Sequence, residues 1–350
     1  MRGQPERVLV VIPSPEFGGA ERQTLQVARG LARQGAEVRI VADAALIPAI
    51  ARLAEGLTRH AIPIGFDARG APAAVHARQA QALGPLLRAA RPDVALVCAA
   101  LPNEALGVAR ALHDAAIPML TMVHLVRRDA SLGATDHAAL AGLRIGWAAV
   151  SAPAARRLET LLGVPVAVVP NGLPPAMPSP RVVRTGPPIL LSVGRLDERK
   201  GAHLAPAIAA AIAPGRLIWA GTGPLANLMR EVELPGHVAD VPALLARADA
   251  FLLASEHEGC PLSVLEAAQA GCPILATRQA LEAWPEAEDI ARLVRRDPDH
   301  IAAVFAEALR DAEGTAHRVA HARAIVEAWD EAAMIRRTAW LLAAETLRCG

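Results

Sequence analysis

No tyrosine occurs among the 350 residues, and five tryptophans and four phenylalanines bring the aromatic share to only 3%. Passive sugar-binding modules and single-strand nucleic-acid binders hold their ligands on exposed aromatic faces, so this shortage weighs against both. Excess charge is missing as well. The 36 basic and 35 acidic residues leave a formal charge of +1, far from the basic surplus of a nucleic-acid-binding chain. The four cysteines, Cys98, Cys260, Cys272 and Cys349, form no CxxC pair and no metal-ligand spacing, and read as reduced thiols of a cytoplasm. Long apolar runs are absent too: Val8 to Ile12 stops at Pro13, too short for a signal-peptide core. The longest tract elsewhere, "LAPAIAAAIAPGRLIWAG", is broken by two prolines and Arg216, so no membrane span is expected.

What is present is a chain too long for one comfortable core, with 53% hydrophobic and 20% charged residues, as in a globular enzyme of two domains. The opening reads strand, loop, helix, strand: "RVLVVI", "PSPEFGG", "AERQTLQVARGLARQG", "AEVRIVA". Continuously apolar strands alternating with helices mark parallel sheets covered on both faces. The runs "DVALVCAA", "IPMLTMVH", "IGWAAVS" and "VPVAVVP" continue the pattern. A proline-dense stretch, residues 173–188, then reads as a linker. Beyond it "PILLSVG", "GRLIWAG", "ADAFLLAS", "GCPILAT" and "IARLV" restart the alternation, and the text from Asp299 onward is helical. The expected fold class is α/β, with two doubly wound Rossmann-like domains facing across a cleft. Residues 1–172 form the first domain, 189–328 the second and 329–350 a last helix.

Open parallel sheets bind ligands where loops leave the carboxyl ends of strands. Three such loops stand out. In "PEFGGAER", Gly18 and Gly19 lie between a strand and a helix, where a ligand could approach the first N–H groups of that helix; a plain tight turn is the alternative. The pattern is not GxGxxG, so no nicotinamide cofactor is indicated. In "SVGRLDERKGAH", Arg195 and Lys200 bracket a loop and suit a diphosphate, although Asp197, Glu198 and Arg199 between them also fit a solvated charged turn. In "SEHEGCPLSVLEAAQAGCP", Glu258 falls in a loop and Glu266 within the following helix, with Pro261 placed in its first turn. Ser263, Glu266 and Gln269 recur at intervals of three, a thin polar stripe suited to a wall facing hydroxyls. Cys260 and Cys272 flank this helix and read as packing residues.

At this point the sequence resembles the retaining nucleotide-sugar glycosyltransferases of family 4, which have the GT-B fold. The resemblance is carried by "GGAERQTLQVARGLARQGAEVRIVA", "TMVH", "VPNG", "LLSVGRLDERKG", "AGTGPL" and "GHVADVPALLARADAFLLASEHEGCPLSVLEAAQAGCPILAT", in that order and spacing. It implies that Glu258 and Glu266 are the ends of the family's E-x7-E element, the first contacting the transferred sugar and the second holding the ribose. By the same resemblance Arg195 and Lys200 hold the donor diphosphate, Gly18 and Gly19 close over it, and His124 lies beside the donor sugar. Val238 matches the main chain that reads the base. Asn171-Gly172 matches a family signature whose duty is the interdomain turn. Arg127 and Arg128 follow His124 on the acceptor side and would meet a phosphorylated or lipid-linked acceptor unless they are merely solvated. The last helix, with Trp329 and Trp340, is implied to cross back onto the first domain.

The expected reaction is transfer of a hexose-type sugar from a nucleoside-diphosphate donor to a glycan or lipid-linked acceptor, in cell-surface polysaccharide or glycolipid synthesis. The donor is a substrate; no cofactor is expected. No divalent metal is expected either, since Arg195 and Lys200 supply the charge. Asp297 and Asp299 share a DxD spacing, but Asp299 reads as a helix N-cap. The chain is placed in the cytoplasm, with room for peripheral contact with the inner membrane face and with no nucleic-acid partner. After "PILAT" the sequence departs from the family pattern: "RQALEAWPE" replaces a Gly-Gly loop, and Glu282 stands near the position of the family's glutamate. Two rivals share the architecture: a nucleotide-sugar epimerase or hydrolase, and a non-catalytic GT-B-like subunit.

Overall fold

The computed structural model describes residues 5–175, 181 and 185–349. Part of the expected linker, residues 176–180 and 182–184, lies outside the described residues. The chain divides into two compact units, Met1–Asn171 with Glu331–Gly350, and Gly172–Asp330.

The first unit holds one parallel sheet of seven strands: β1 (Arg7–Ile12), β2 (Glu37–Ala42), β3 (Thr58–Ala61), β4 (Val94–Ala99), β5 (Met119–Val123), β6 (Gly146–Ala149) and β7 (Ala167–Val168). Their spatial order is β3-β2-β1-β4-β5-β6-β7. Six of these strands coincide with the apolar runs read from the sequence. The seventh, β3, is the edge strand "TRHA", whose residues are largely exposed. An edge with one neighbour and open faces needs no apolar run, so no signal marks it. The helices of this unit are α1 (Gly19–Arg33), α2 (Ile47–Ile50), α3 (Pro72–Ala90), α4 (Leu106–Asp114), α5 (Ala134–Leu140) and α6 (Ala152–Leu162).

The second unit holds β8 (Ile189–Val193), β9 (Arg216–Ala220), β10 (Glu233–Gly236), β11 (Ala250–Leu253), β12 (Ile274–Ala276) and β13 (Arg292–Leu293), in the order β10-β9-β8-β11-β12-β13. Here too the strand without a sequence signal, β10 ("ELPG"), is the exposed edge next to the second strand of its sheet. Helices α7 (Ala205–Ala211), α8 (Val241–Leu245), α9 (Leu262–Gln269), α10 (Ala287–Ile290), α11 (Pro298–Arg310) and α12 (Ala312–Glu327) cover it. Each unit has its own buried core, around Leu9, Val97 and Leu112 in the first and Leu190, Leu252 and Phe305 in the second. The two doubly wound Rossmann-like units of the expected fold class are therefore present.

The last helix, α13 (Glu331–Cys349), belongs to the first unit and lies along α1, β4 and β5. Its close approach depends on small residues. A Cβ on Gly30 of α1 would sit 2.3 Å from Ile335 Cδ1. The two tryptophans expected on this helix lie apart from that packing. Trp329 precedes it and stacks against Trp284 in the second unit, ring centroids 5.2 Å apart, while Trp340 is 68% exposed. The expected N-cap of α11 also moves. Asp297, not Asp299, accepts the N–H of His300 at 2.7 Å, because Pro298 takes the first helical position and Asp299 falls in the first turn. Cys98, Cys260 and Cys272 are buried in the packing and form no disulfide.

Candidate functional site

In both sheets the strand order reverses beside the first strand of the unit, between β1 and β4 and between β8 and β11. Loops leaving the two strands on either side of such a reversal diverge and open a ligand site at their carboxyl ends. In the second unit those loops are residues 194–201, after β8, and residues 254–261, after β11. They carry Arg195, Lys200 and Glu258.

Backbone geometry brings these loops together. Gly194 has φ +145° and Gly201 φ +83°, conformations that side chains with a Cβ resist. A Cβ on Gly201 would lie 2.8 Å from the carbonyl oxygen of Ala254. The neighbouring loop after β9 is equally tight: a Cβ on Gly221 would lie 2.0 Å from the Gly194 carbonyl oxygen, and Leu196 N–H donates to Thr222 at 2.9 Å. Asp197 shapes the turn, accepting the Lys200 N–H at 2.8 Å and the Arg195 Nε at 2.9 Å. Across the gap, Glu256 N–H donates to the Arg199 carbonyl at 2.9 Å.

Glu258 sits where these loops meet. Its Oε1 accepts Lys200 Nζ at 2.6 Å and Arg199 Nη1 at 3.0 Å. Arg199 Nη1 also donates to the His257 carbonyl at 3.2 Å. Burial pushes the Glu258 carboxyl up, but Lys200 and then Arg199 pull harder the other way, with help from Ser255, and hold it at about 2. The result is an ionised carboxylate in direct contact with Lys200 at the reversal point of the sheet. The charged turn between Arg195 and Lys200 is thus only partly solvated: Glu198 is exposed, but Asp197 is buried and Arg199 is engaged with Glu258.

The other expected residues are distributed around this centre. Arg195 is half-exposed and joined to it through Asp197. Glu266 is buried in the second turn of α9, which starts one residue later than expected: Pro261 is its N-cap and Leu262 its first residue. Of the polar stripe on α9, Gln269 does not serve as an open wall; its Nε2 donates to the Pro174 carbonyl at 2.8 Å. Val238 is half-buried in the segment that follows β10. After β12, Thr277 caps a single 3-10 turn, Arg278–Leu281, in place of a glycine loop, and Glu282 is half-buried beyond it. Thr277 Oγ1 donates to the Ser255 carbonyl at 2.5 Å, which ties this turn to the Glu258 loop.

In the first unit, Gly18 is the N-cap of α1 and Gly19 its first residue. The Gly18 N–H is not left open for a ligand, as the bare Gly-Gly suggested: it donates to Glu21 Oε2 at 2.7 Å, half of a capping box. Glu21 is buried, and burial raises its carboxyl against the hydrogen bonds from Ser14 and Gly18. On the other side of the reversal, Glu104 Oε2 accepts the Ala100 N–H at 2.7 Å. Burial raises Glu104 to about 7, backbone N–H groups of Leu101 and Ala100 oppose it, and Glu21 adds to the rise. Neither carboxylate was singled out from the sequence; the only available signal was Glu21 three residues after Gly18, the spacing of a capping box.

His124 follows β5, its N–H donating to the Ala99 carbonyl at 2.9 Å. It is only 9% exposed, burial alone lowers it to about 3, and its Nε2 has no hydrogen-bond partner among the described residues. A neutral imidazole with one unused nitrogen can exchange a hydrogen bond with a hydroxyl but carries no charge. Arg127, three residues on, is a half-exposed ion pair with Asp129 at 2.9 Å.

Comparison with known proteins gives this architecture its class. Residues 17–176 match the family model described as Glycosyltransferase Family 4, and residues 187–311 match the one described as Glycosyl transferases group 1. Together the two glycosyltransferase models cover most of the chain, and the fold is of the GT-B type. It is similar to the crystal structure of a glycosyltransferase from Rickettsia africae ESF-5, at 17% identity over 98% of both chains with a TM-score of 0.75. It is likewise similar to Anabaena Alr3699/HepE in complex with UDP-glucose, at 18% identity over 98% of this chain and 99% of that one with a TM-score of 0.74. At these identities the likeness is one of fold. A glycogen synthase of Mycobacterium tuberculosis (strain ATCC 25618 / H37Rv) is 39% identical over 108 residues, a match that spans 26% of this chain and 26% of that protein. Among the described residues no helix is long and apolar enough to cross a membrane.

Proposed function

We propose that the chain is a retaining glycosyltransferase that moves a hexose-type sugar from a nucleoside-diphosphate donor to a glycan or lipid-linked acceptor. The observation that carries this reading is the contact of Lys200 with Glu258 at the reversal point of the second sheet. A cation there answers the charge that grows on a departing diphosphate, and a carboxylate beside it accepts hydrogen bonds from sugar hydroxyls. The Anabaena relative solved with UDP-glucose supports a nucleotide sugar as the donor. In this reading Arg195 and Lys200 hold the diphosphate, Glu266 holds the ribose, and Val238 offers its main chain to the base. Gly19 and His124 complete the donor contacts, with His124 as a neutral hydrogen-bonding group, while Gly18, whose N–H is taken by Glu21, contributes only the room its missing side chain leaves. Retention follows if the acceptor hydroxyl attacks from the side the diphosphate leaves. The oxygen bonds to the anomeric carbon, the carbon–phosphate-oxygen bond breaks, and the hydroxyl proton passes to the departing diphosphate. Glu258 stabilises the positive charge on the sugar, and no divalent metal is required.

A thermal-shift panel of UDP, GDP and ADP with their hexose sugars, on wild type and Glu266→Ala, tests the donor site. One nucleotide series should stabilise the wild type and stabilise Glu266→Ala much less. Stabilisation by none of them, or equal stabilisation of the variant, contradicts the assignment. Turnover of the donor at full rate without an acceptor would favour an epimerase or hydrolase instead.

A further inference from the structure

Two cations converge on one oxygen of Glu258, although a single carboxylate needs only one. They are held differently. Arg199 is fastened to the loop after β11 independently of the Glu258 side chain, through its Nη1 on the His257 carbonyl and its own carbonyl on the Glu256 N–H. Lys200 reaches Glu258 at the end of a flexible four-carbon stem, and its side chain is largely buried. A planar, anchored guanidinium and a movable point charge are suited to different tasks.

Resting on the donor-site reading above, we propose that Arg199 is a positioning residue: it keeps Glu258 ionised and in place while Lys200 moves from that carboxylate to the donor diphosphate. Without Arg199, the departure of Lys200 would strand a buried carboxylate, which would take up a proton or swing away. With it, Glu258 has a permanent counter-charge, and Lys200 can be released to the substrate.

The groups that face Glu258 are few. From the loop after β8 come Arg199 and Lys200, with Asp197 holding the Lys200 N–H and the Arg195 guanidinium. From the loop after β11 come Ser255, His257 and Glu256, the last paired with Arg296 at 2.7 Å. Burial favours the protonated carboxyl, and the two cations outweigh it. On this proposal one cation suffices to keep the carboxyl depressed, whereas without both only Ser255 opposes burial and the carboxyl rises.

Lys200→Met reproduces the departure of Lys200 without any ligand. Carboxyl 13C NMR of the full chain labelled at glutamate, with the Glu258 signal assigned by its loss in Glu258→Gln, follows the titration. In Lys200→Met, Glu258 should still titrate below the ordinary carboxylate range. In Lys200→Met with Arg199→Gln, its midpoint should rise by at least about two pH units, and Lys200→Met with Arg199→Lys should recover most of the shift. Equal midpoints in the single and the Arg199→Gln double variant would overturn the proposal. Turnover separates this from the parent reading. With a donor identified, Arg199→Gln should move the acid limb of kcat/KM to higher pH and leave the donor KM within about twofold, and Arg199→Lys should restore the limb. An unmoved limb with a raised KM would assign Arg199 to donor binding and overturn the positioning role. Absence of any transfer by the wild type would count against the parent reading alone, since the NMR titration still decides the Arg199 claim.

Discussion

The two units of this chain solve one topological problem with opposite electrostatics. In each, the first and fourth strands of the sheet stand side by side and their loops diverge at the reversal point. In the second unit that point holds a carboxylate between two cations, and Glu258 is held at about 2. In the first it holds two buried carboxylates, Glu21 and Glu104, and burial, with a smaller addition from Glu21, raises Glu104 to about 7. Fold alone therefore does not define a diphosphate site; the side chains that the loops deliver do. One reversal point gathers two cations on one carboxylate, the other disfavours negative charge.

The largest expected effect separates the two points by stability. Glu258 is depressed below its ordinary 4.5, so its contribution is complete above pH 4.5 and is lost as the pH falls toward about 2. Glu104 is raised, so it costs nothing below pH 4.5, costs progressively more as the pH rises, and reaches its full penalty above about 7. Glu258→Gln should lower and Glu104→Gln should raise stability at pH 8, each by about 3 kcal/mol. At pH 4 the gain from Glu104→Gln should vanish. Thermal unfolding of both variants and the wild type across this range checks the signs, and a gain from Glu104→Gln that is the same at pH 4 and pH 8 would break the comparison.

A smaller effect is expected at His124, which burial lowers to about 3. Its imidazole 15N shifts should stay those of a neutral ring from pH 5 to pH 8, and the pH profile of kcat/KM should show no limb from it. A midpoint near the ordinary histidine value would mean that charge reaches the first unit after all.

Much of this was legible in the sequence, and the exceptions have physical causes. The apolar runs marked every strand with two neighbours, because a parallel strand covered on both faces must be apolar throughout. The edges β3 and β10 are short, polar and exposed, and local text cannot distinguish them from loops. The placement of Arg195, Lys200 and Glu258 in loops after strands was legible because strand ends are readable. Arg199 was not, since its partner lies 59 residues away and nothing in "DERKG" separates an engaged cation from a solvated one. Glu104 was missed for the converse reason: its burial, not its neighbours in the chain, gives it its character.

Calorimetric titration with UDP, GDP and ADP tests the central claim most directly, comparing the wild type with Lys200→Met and Glu104→Gln. The account predicts that the nucleoside diphosphate that binds the wild type binds Lys200→Met about thirtyfold more weakly, the loss of one charged hydrogen bond of about 2 kcal/mol. It predicts Glu104→Gln unchanged within about twofold. Equal affinities for wild type and Lys200→Met, or a larger loss in Glu104→Gln, would contradict it.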